Sequence, residues 1–118
     1  MVVDDDPAVR EAAQELLERA GHTVKVAENG EIAGELLKAE PAPDVLVLDL
    51  LMPGRDGIHL LEELRRSPRL SSTRVVIVTG LSGRFLKETL QVDSVLTKPI
   101  VARDLLESVR PRAASPEV

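Results

Sequence analysis

Val45-Leu46-Val47-Leu48 is an unbroken apolar run with Val at alternate positions, and it ends in a single carboxylate, Asp49. A run of this kind reads as a strand covered on both faces, which is the signature of a parallel sheet between layers of helix. Pro53, Gly54 and Gly57 follow and end the element. Val75-Val76-Ile77-Val78 repeats the pattern and closes on Thr79-Gly80, and Met1-Val2-Val3 closes on Asp4-Asp5-Asp6-Pro7. Three core strands therefore deliver polar groups at their carboxyl ends.

Helical periods separate these strands. Val9, Ala12, Ala13, Leu16, Leu17 and Ala20 recur at helical spacing, with Pro7 suited to the first turn and Gly21 to the stop. Thr23-Val24-Lys25-Val26-Ala27 alternates as a half-exposed strand, and after Asn29-Gly30 the pairs Ile32, Ala33 and Leu36, Leu37 resume the helical period. Ile58, Leu61 and Leu64 mark a third helix, Leu86 and Leu90 a short fourth, and Val101, Leu105 and Val109 a fifth. Val95-Leu96 reads as a last short strand ending at Thr97-Lys98-Pro99, and the stretch from Pro111 reads as a frayed tail. Five strands alternating with five helices give an α/β fold, a five-stranded parallel sheet with helices on both faces, because parallel neighbours need right-handed crossovers. In the order 2-1-3-4-5 the ligand crevice falls beyond the carboxyl ends of the first and third strands, those that end in Asp4-Asp5 and Asp49.

The bulk numbers narrow the function. At 118 residues and 43% hydrophobic content the chain suits one domain with a real core. A net charge of −5 gives no electrostatic footprint for nucleic acid or anionic lipid. The absence of Cys excludes disulfides and thiolate chemistry, and fits a cytoplasmic protein. No apolar stretch approaches the ~20 residues of a membrane span, and the N-terminus lacks the layout of a signal peptide. A soluble, cytoplasmic protein is expected, with no direct contact to nucleic acid or membrane.

Each polar group also has a plain structural reading. Asp6 before Pro7 suits a helix N-cap, and Asp56-Gly57 is a turn and cap signal. Thr79 alone is a strand-end hydroxyl, Lys98 alone a solvated charge, and His22 and His59 have no partner at ligand spacing. Acid, hydroxyl and ammonium nevertheless all close strands on one edge of the expected sheet, where scattered surface residues have no reason to collect.

Over nearly its whole length the chain resembles the receiver domain of two-component response regulators. The family's pattern stands in order as Val2-Val3-Asp4-Asp5-Asp6-Pro7, Asp49-Leu50-Leu51-Met52-Pro53 with Asp56-Gly57, Thr79-Gly80, and Thr97-Lys98-Pro99. The resemblance implies a flavodoxin-like receiver fold over residues 1–110, with 111–118 as a flexible tail or the start of a linker. It implies that Asp49 accepts a phosphoryl group, that Asp4 and Asp5 with Asp49 and the Leu51 carbonyl hold Mg²⁺, that Thr79 is the switch hydroxyl, and that Lys98 contacts the phosphate. A sensor histidine kinase or phosphotransfer protein would be the donor, and an output partner or C-terminal effector domain the receiver of the signal, with room for a homodimer. Such a protein is not an enzyme towards other molecules; it catalyses only its own phosphorylation and dephosphorylation.

Elementary chemistry agrees. Three carboxylates in one crevice repel, so an anionic donor needs a compensating divalent cation, and Mg²⁺ takes a few carboxylate or carbonyl oxygens beside a phosphate oxygen. Two departures bear on output. The position three before Lys98 is Val95, where many receivers carry an aromatic residue that swings on activation, and Phe85 is the chain's one aromatic residue. Thr79 and Lys98 stand 19 positions apart, about one helical turn short of the family's usual spacing. A weaker surface response to phosphorylation is therefore expected. The alternative reading is an atypical receiver acting as a phosphorylation-independent interaction module. A metal-dependent hydrolase with an aspartate nucleophile is disfavoured, since such enzymes commonly want an acid two positions on and Leu51 stands there.

Overall fold

The computed structural model describes residues 1–52, 56–80 and 86–111. Pro53, Gly54, Phe85 and the tail from residue 112 lie outside the described residues, as does the side chain of Asp56. Five strands, β1 (Val2–Val3), β2 (Val26–Ala27), β3 (Val45–Asp49), β4 (Arg74–Thr79) and β5 (Ser94–Thr97), form one sheet in the order β2-β1-β3-β4-β5. Every pairing is parallel. The helices are α1 (Pro7–Arg19), α2 (Gly30–Ala39), α3 (Asp56–Arg66), α4 (Leu86–Leu90) and α5 (Ala102–Ser108). The α/β order read from the sequence is the order observed.

Local chemistry accounts for the helix ends. The Asp6 carboxylate accepts from the Ala8 N–H at 2.9 Å and caps α1 over Pro7, while the Asn29 side chain accepts from the Ile32 N–H at 2.8 Å and caps α2. Gly21, at φ +97°, turns the chain just past α1, in a conformation that a Cβ would strain.

Some boundaries differ from the sequence reading. Regular pairing in β2 is confined to Val26–Ala27, because its single neighbour β1 offers two residues; Lys25 joins through its carbonyl, which accepts from the Val2 N–H. Ile58 is 39% exposed, and α3 instead packs through the buried Leu60, Leu61 and Leu64. Val101 is the exposed N-cap of α5 rather than part of its buried stripe. A single 3-10 turn at Pro68–Leu70 carries the chain from α3 to β4.

Alternation along the strands divides the core in two. Val3, Leu46, Leu48, Val75 and Ile77 face α2 and α3, where Leu37, Leu60 and Leu64 meet them. Val2, Val47, Val76 and Val78 face α1 and α5, against Ala13, Leu17, Leu105 and Val109. One glycine fixes how closely α3 approaches the end of β3. A Cβ on Gly57 would lie 2.7 Å from the Leu50 carbonyl oxygen and 2.9 Å from that of Asp49. Backbone atoms cannot move aside as a side-chain tip does, so Gly57→Ala is expected to cost about 1–3 kcal/mol. Chemical denaturation would measure it, and a loss below ~0.5 kcal/mol would mean the loop relaxes freely.

Candidate functional site

Strand register builds the site. Val3 pairs with Leu48, so the next residues along, Asp4 and Asp49, emerge side by side from the sheet. Asp4 keeps the parity of Val2, Asp49 that of Val47, and Lys98 that of Leu96, which all belong to the α1/α5 side. Three ionic side chains from three strands are thereby directed to one side of the sheet's carboxyl edge. Thr79 pairs with Thr97, and the Thr79 carbonyl accepts from the Lys98 N–H at 2.7 Å, which fixes the lysine's backbone beside the end of β4.

The Lys98 ammonium lies 3.2 Å from an oxygen of Asp4 and 3.2 Å from an oxygen of Asp49. The other Asp4 oxygen accepts from the Asp6 N–H at 2.9 Å, and the other Asp49 oxygen accepts from the Leu51 N–H at 3.1 Å. Both carboxylates are 3% exposed, whereas Asp5 stands in solvent at the rim. Oxygens of Asp4, Asp5 and Asp49 all lie within 4.8 Å of one another. Burial, and then the Asp4 charge, push the Asp49 carboxyl above its ordinary range; the Leu51 N–H and Lys98 pull the other way without cancelling this. For Lys98, burial lowers the pKa, but the two carboxylates outweigh it and the net direction is upward.

Of the residues singled out in the sequence, the structure brings together Asp4, Asp5, Asp49 and Lys98. Thr79 ends β4 fully buried, and Leu51 follows β3 with its side chain exposed and its N–H on Asp49. His59 pairs with Glu63 at 3.2 Å on the surface of α3, a structural contact one helical turn along. Sequence reasoning missed Arg10, whose guanidinium donates to the Asp4 carbonyl at 2.8 Å. A lone arginine in a helix carries no signal of such a bond; its position one turn inside α1, after an acidic loop, is the nearest available cue.

An oxygen-only donor set of this size and charge suits a hard divalent cation such as Mg²⁺, which takes few protein oxygens and keeps several waters. Burial is the larger cause of the raised Asp49 and the Asp4 charge the second, and it is this second part that a cation would relieve.

Comparison with known proteins agrees with this geometry. Residues 1–110 match the response regulator receiver domain family. The chain is 34% identical over 115 residues to the DNA-binding dual master transcriptional regulator RpaA of Synechocystis, covering 93% of this chain and 46% of that protein. It is 36% identical over 113 residues to the transcriptional regulatory protein CpxR of Escherichia coli, covering 93% and 47%. The chain thus spans about half the length of these curated relatives. Among solved structures, the Francisella response regulator 1452 receiver domain superposes with a TM-score of 0.80 at 32% identity, over 92% of this chain and 89% of that one. The response regulator TrrA of Thermotoga maritima, solved in complex with Mg²⁺ and BeF, superposes with a TM-score of 0.78 at 30% identity, over 92% of each chain. Family match, relatives, strand order and acidic crevice converge, and this chain belongs to the response regulator receiver domain family.

Proposed function

We propose that this receiver accepts a phosphoryl group on Asp49 in a Mg²⁺-dependent reaction, from a sensor histidine kinase or phosphotransfer protein, and relays the event by a change of conformation. The observation that carries the reading is the meeting of Asp4, Asp5, Asp49 and Lys98 at one strand edge. Asp49 has the nucleophile's part: a carboxylate oxygen forms a bond to phosphorus while the bond to the donor breaks, and the donor keeps that electron pair. The Leu51 N–H holds one Asp49 oxygen at 3.1 Å and so orients the carboxylate. Lys98, 3.2 Å from Asp49, is within reach of the oxygens of a group carried there and offsets their charge. When bound, Mg²⁺ supplies the positive charge that lets three acids and an incoming anion share the crevice. Asp4, Asp5, Asp49 and the Leu51 carbonyl are the groups assigned to hold it. Thr79, fully buried at the end of β4, is assigned as the hydroxyl that answers the added charge.

An open apolar groove of about 830 Å³, lined by Ala8, Val9, Ala12, Leu16, Pro99 and Ile100, runs from Lys98 along α1. Its continuity with Lys98 supports docking of the protein donor there, beside Asp49. Residues 1–110 form the receiver unit in this reading, and residues 111–118 are the tail or the start of a linker to an output domain such as the relatives' extra length allows. Among the described residues no helix is long and apolar enough to cross a membrane, and a cytoplasmic location is part of the proposal. Partnership with a second copy of the chain remains part of it too.

Incubation with acetyl phosphate and Mg²⁺, followed by mass spectrometric mapping, tests the central step: one adduct at Asp49 is expected, none without the cation. The same cation is expected to raise the unfolding temperature, since it binds the assembled acids in the folded state and not the dispersed ones of the unfolded chain. Asp5→Ala removes a rim ligand and is expected to abolish most of that rise. An Asp5→Ala protein that responds to Mg²⁺ as the parent does would place the cation elsewhere. An adduct formed equally well without Mg²⁺ would remove the cation from the reaction, and no adduct at all would favour the phosphorylation-independent interaction module.

A further inference from the structure

The acid at the rim, Asp5, is exposed, yet its oxygen stands within 4.8 Å of oxygens on two buried acids. Its backbone is held on both sides. Before it, the Asp4 carbonyl accepts from the Arg10 guanidinium at 2.8 Å; after it, the Asp6 N–H donates to the Asp4 carboxylate at 2.9 Å. The peptides before and after Asp5 are each planar, so holding both restricts the rotation between them and with it the direction in which the Asp5 side chain leaves the chain; the Arg10 bond is one of these two holds. The later hold sits within the acidic cluster itself, whereas the earlier one comes from outside it, from the second turn of α1. Arg10 is half-buried, and its own N–H donates to the Asp6 carbonyl at 2.9 Å, so helix and loop are tied at two points.

We infer that Arg10 is a positioning residue for the cation site, which keeps Asp5 turned towards Asp4 and Asp49 by holding the peptide that precedes it. The inference rests on the cation-binding reading of the acidic cluster. Its consequence has a sign that separates it from plain electrostatics. Arg10 carries a positive charge close to the acids, so Coulomb repulsion alone would make its removal tighten binding of a divalent cation. Loss of positioning makes its removal weaken binding. Groups that orient metal ligands without touching the metal typically change affinity by about 10–100-fold, and Arg10 acts on one ligand of several. A loss of about tenfold is therefore expected, at the low end of that range.

The test is a Mg²⁺ titration of the unfolding temperature of parent, Arg10→Met and Arg10→Lys. Arg10→Met is expected to bind Mg²⁺ about tenfold more weakly than the parent. Arg10→Lys, which keeps a charge and a donor on a long stem, should fall between the two. An Arg10→Met protein that is less stable but binds Mg²⁺ equally well or more tightly would show a merely structural or electrostatic role, and would overturn the inference. If Arg10→Met does not fold, Arg10→Leu, which likewise lacks a donor and has a good helix propensity, gives the same comparison. A parent that shows no response to Mg²⁺ would remove the cation reading, and the inference with it; a responsive parent with an equally responsive Arg10 variant removes the inference alone.

Discussion

Asp49→Asn protein is expected to take up no phosphoryl group from acetyl phosphate and Mg²⁺, while unfolding, without the cation, at a higher temperature than the parent. The first effect is all-or-none, since an amide oxygen cannot form the acyl phosphate and the neighbouring acids differ in placement. The second follows from electrostatics. Asp49 is buried and faces the Asp4 charge, and both causes raise its pKa above the ordinary 3.8. In the window between that ordinary value and the raised one, the folded protein binds more protons than the unfolded chain. The stability contributed by Asp49 is therefore greatest at low pH and falls as pH rises through the window. The asparagine oxygen can still accept from the Leu51 N–H, and Asp4 keeps Lys98, so most contacts persist. A gain on the order of 1 kcal/mol at neutral pH is expected, with a flatter acid limb of the stability profile. Parallel acid titrations of parent and variant would check it. Modification of Asp49→Asn as readily as the parent would remove Asp49 as acceptor, and lower stability of the variant would mean that Lys98 already compensates the buried charge.

Lys98→Met should have the largest effect in the opposite direction. It leaves two carboxylates, each 3% exposed, without the ammonium that stands 3.2 Å from both. Removing one partner of a buried pair typically costs ~3–5 kcal/mol. The Lys98 side chain is 27% exposed and water shares the work, so about 2 kcal/mol without the cation is expected. Lys98 titrates above its ordinary 10.5, so its contribution is fully present below that value and lost as pH rises through the raised one. The variant should lack that alkaline loss. Mg²⁺ affinity should move the other way and tighten, because the ammonium lies against the same acids that a cation would share. Equal stability of parent and Lys98→Met at pH 7 would show that the contact contributes nothing; weaker Mg²⁺ binding by the variant would show that the lysine helps to assemble the site rather than competing for it.

The two variants separate chemistry from assembly. Asp49→Asn removes the proposed acceptor and keeps the crevice's remaining pairings, whereas Lys98→Met keeps Asp49 and removes the ammonium that lies against both buried carboxylates. Loss of adduct in Lys98→Met with intact Mg²⁺ binding would assign the lysine to the transferring phosphoryl group itself.

Much of this was legible in the sequence because it depends on period and punctuation. Continuous apolar runs specified strands covered on both faces, Pro7, Asn29 and Gly21 marked helix limits, and the acids stood at strand ends, so a parallel α/β sheet with an acidic carboxyl edge followed from local pattern alone. What pattern could not supply was register and reach. That Asp4 lies beside Asp49 depends on Val3 pairing with Leu48, a contact between residues 45 positions apart in the chain. Whether Lys98 spends its charge on solvent or on two buried carboxylates depends on β5 having the parity that turns it to the α1/α5 side. The ends of β2, the exposure of Ile58 and Val101 and the bond from Arg10 were likewise set by neighbours rather than by their own segments. A strand's period fixes which residues share a face, but the pairing of strands distant in sequence decides which faces meet, and those pairings exist only once the sheet has closed around its core.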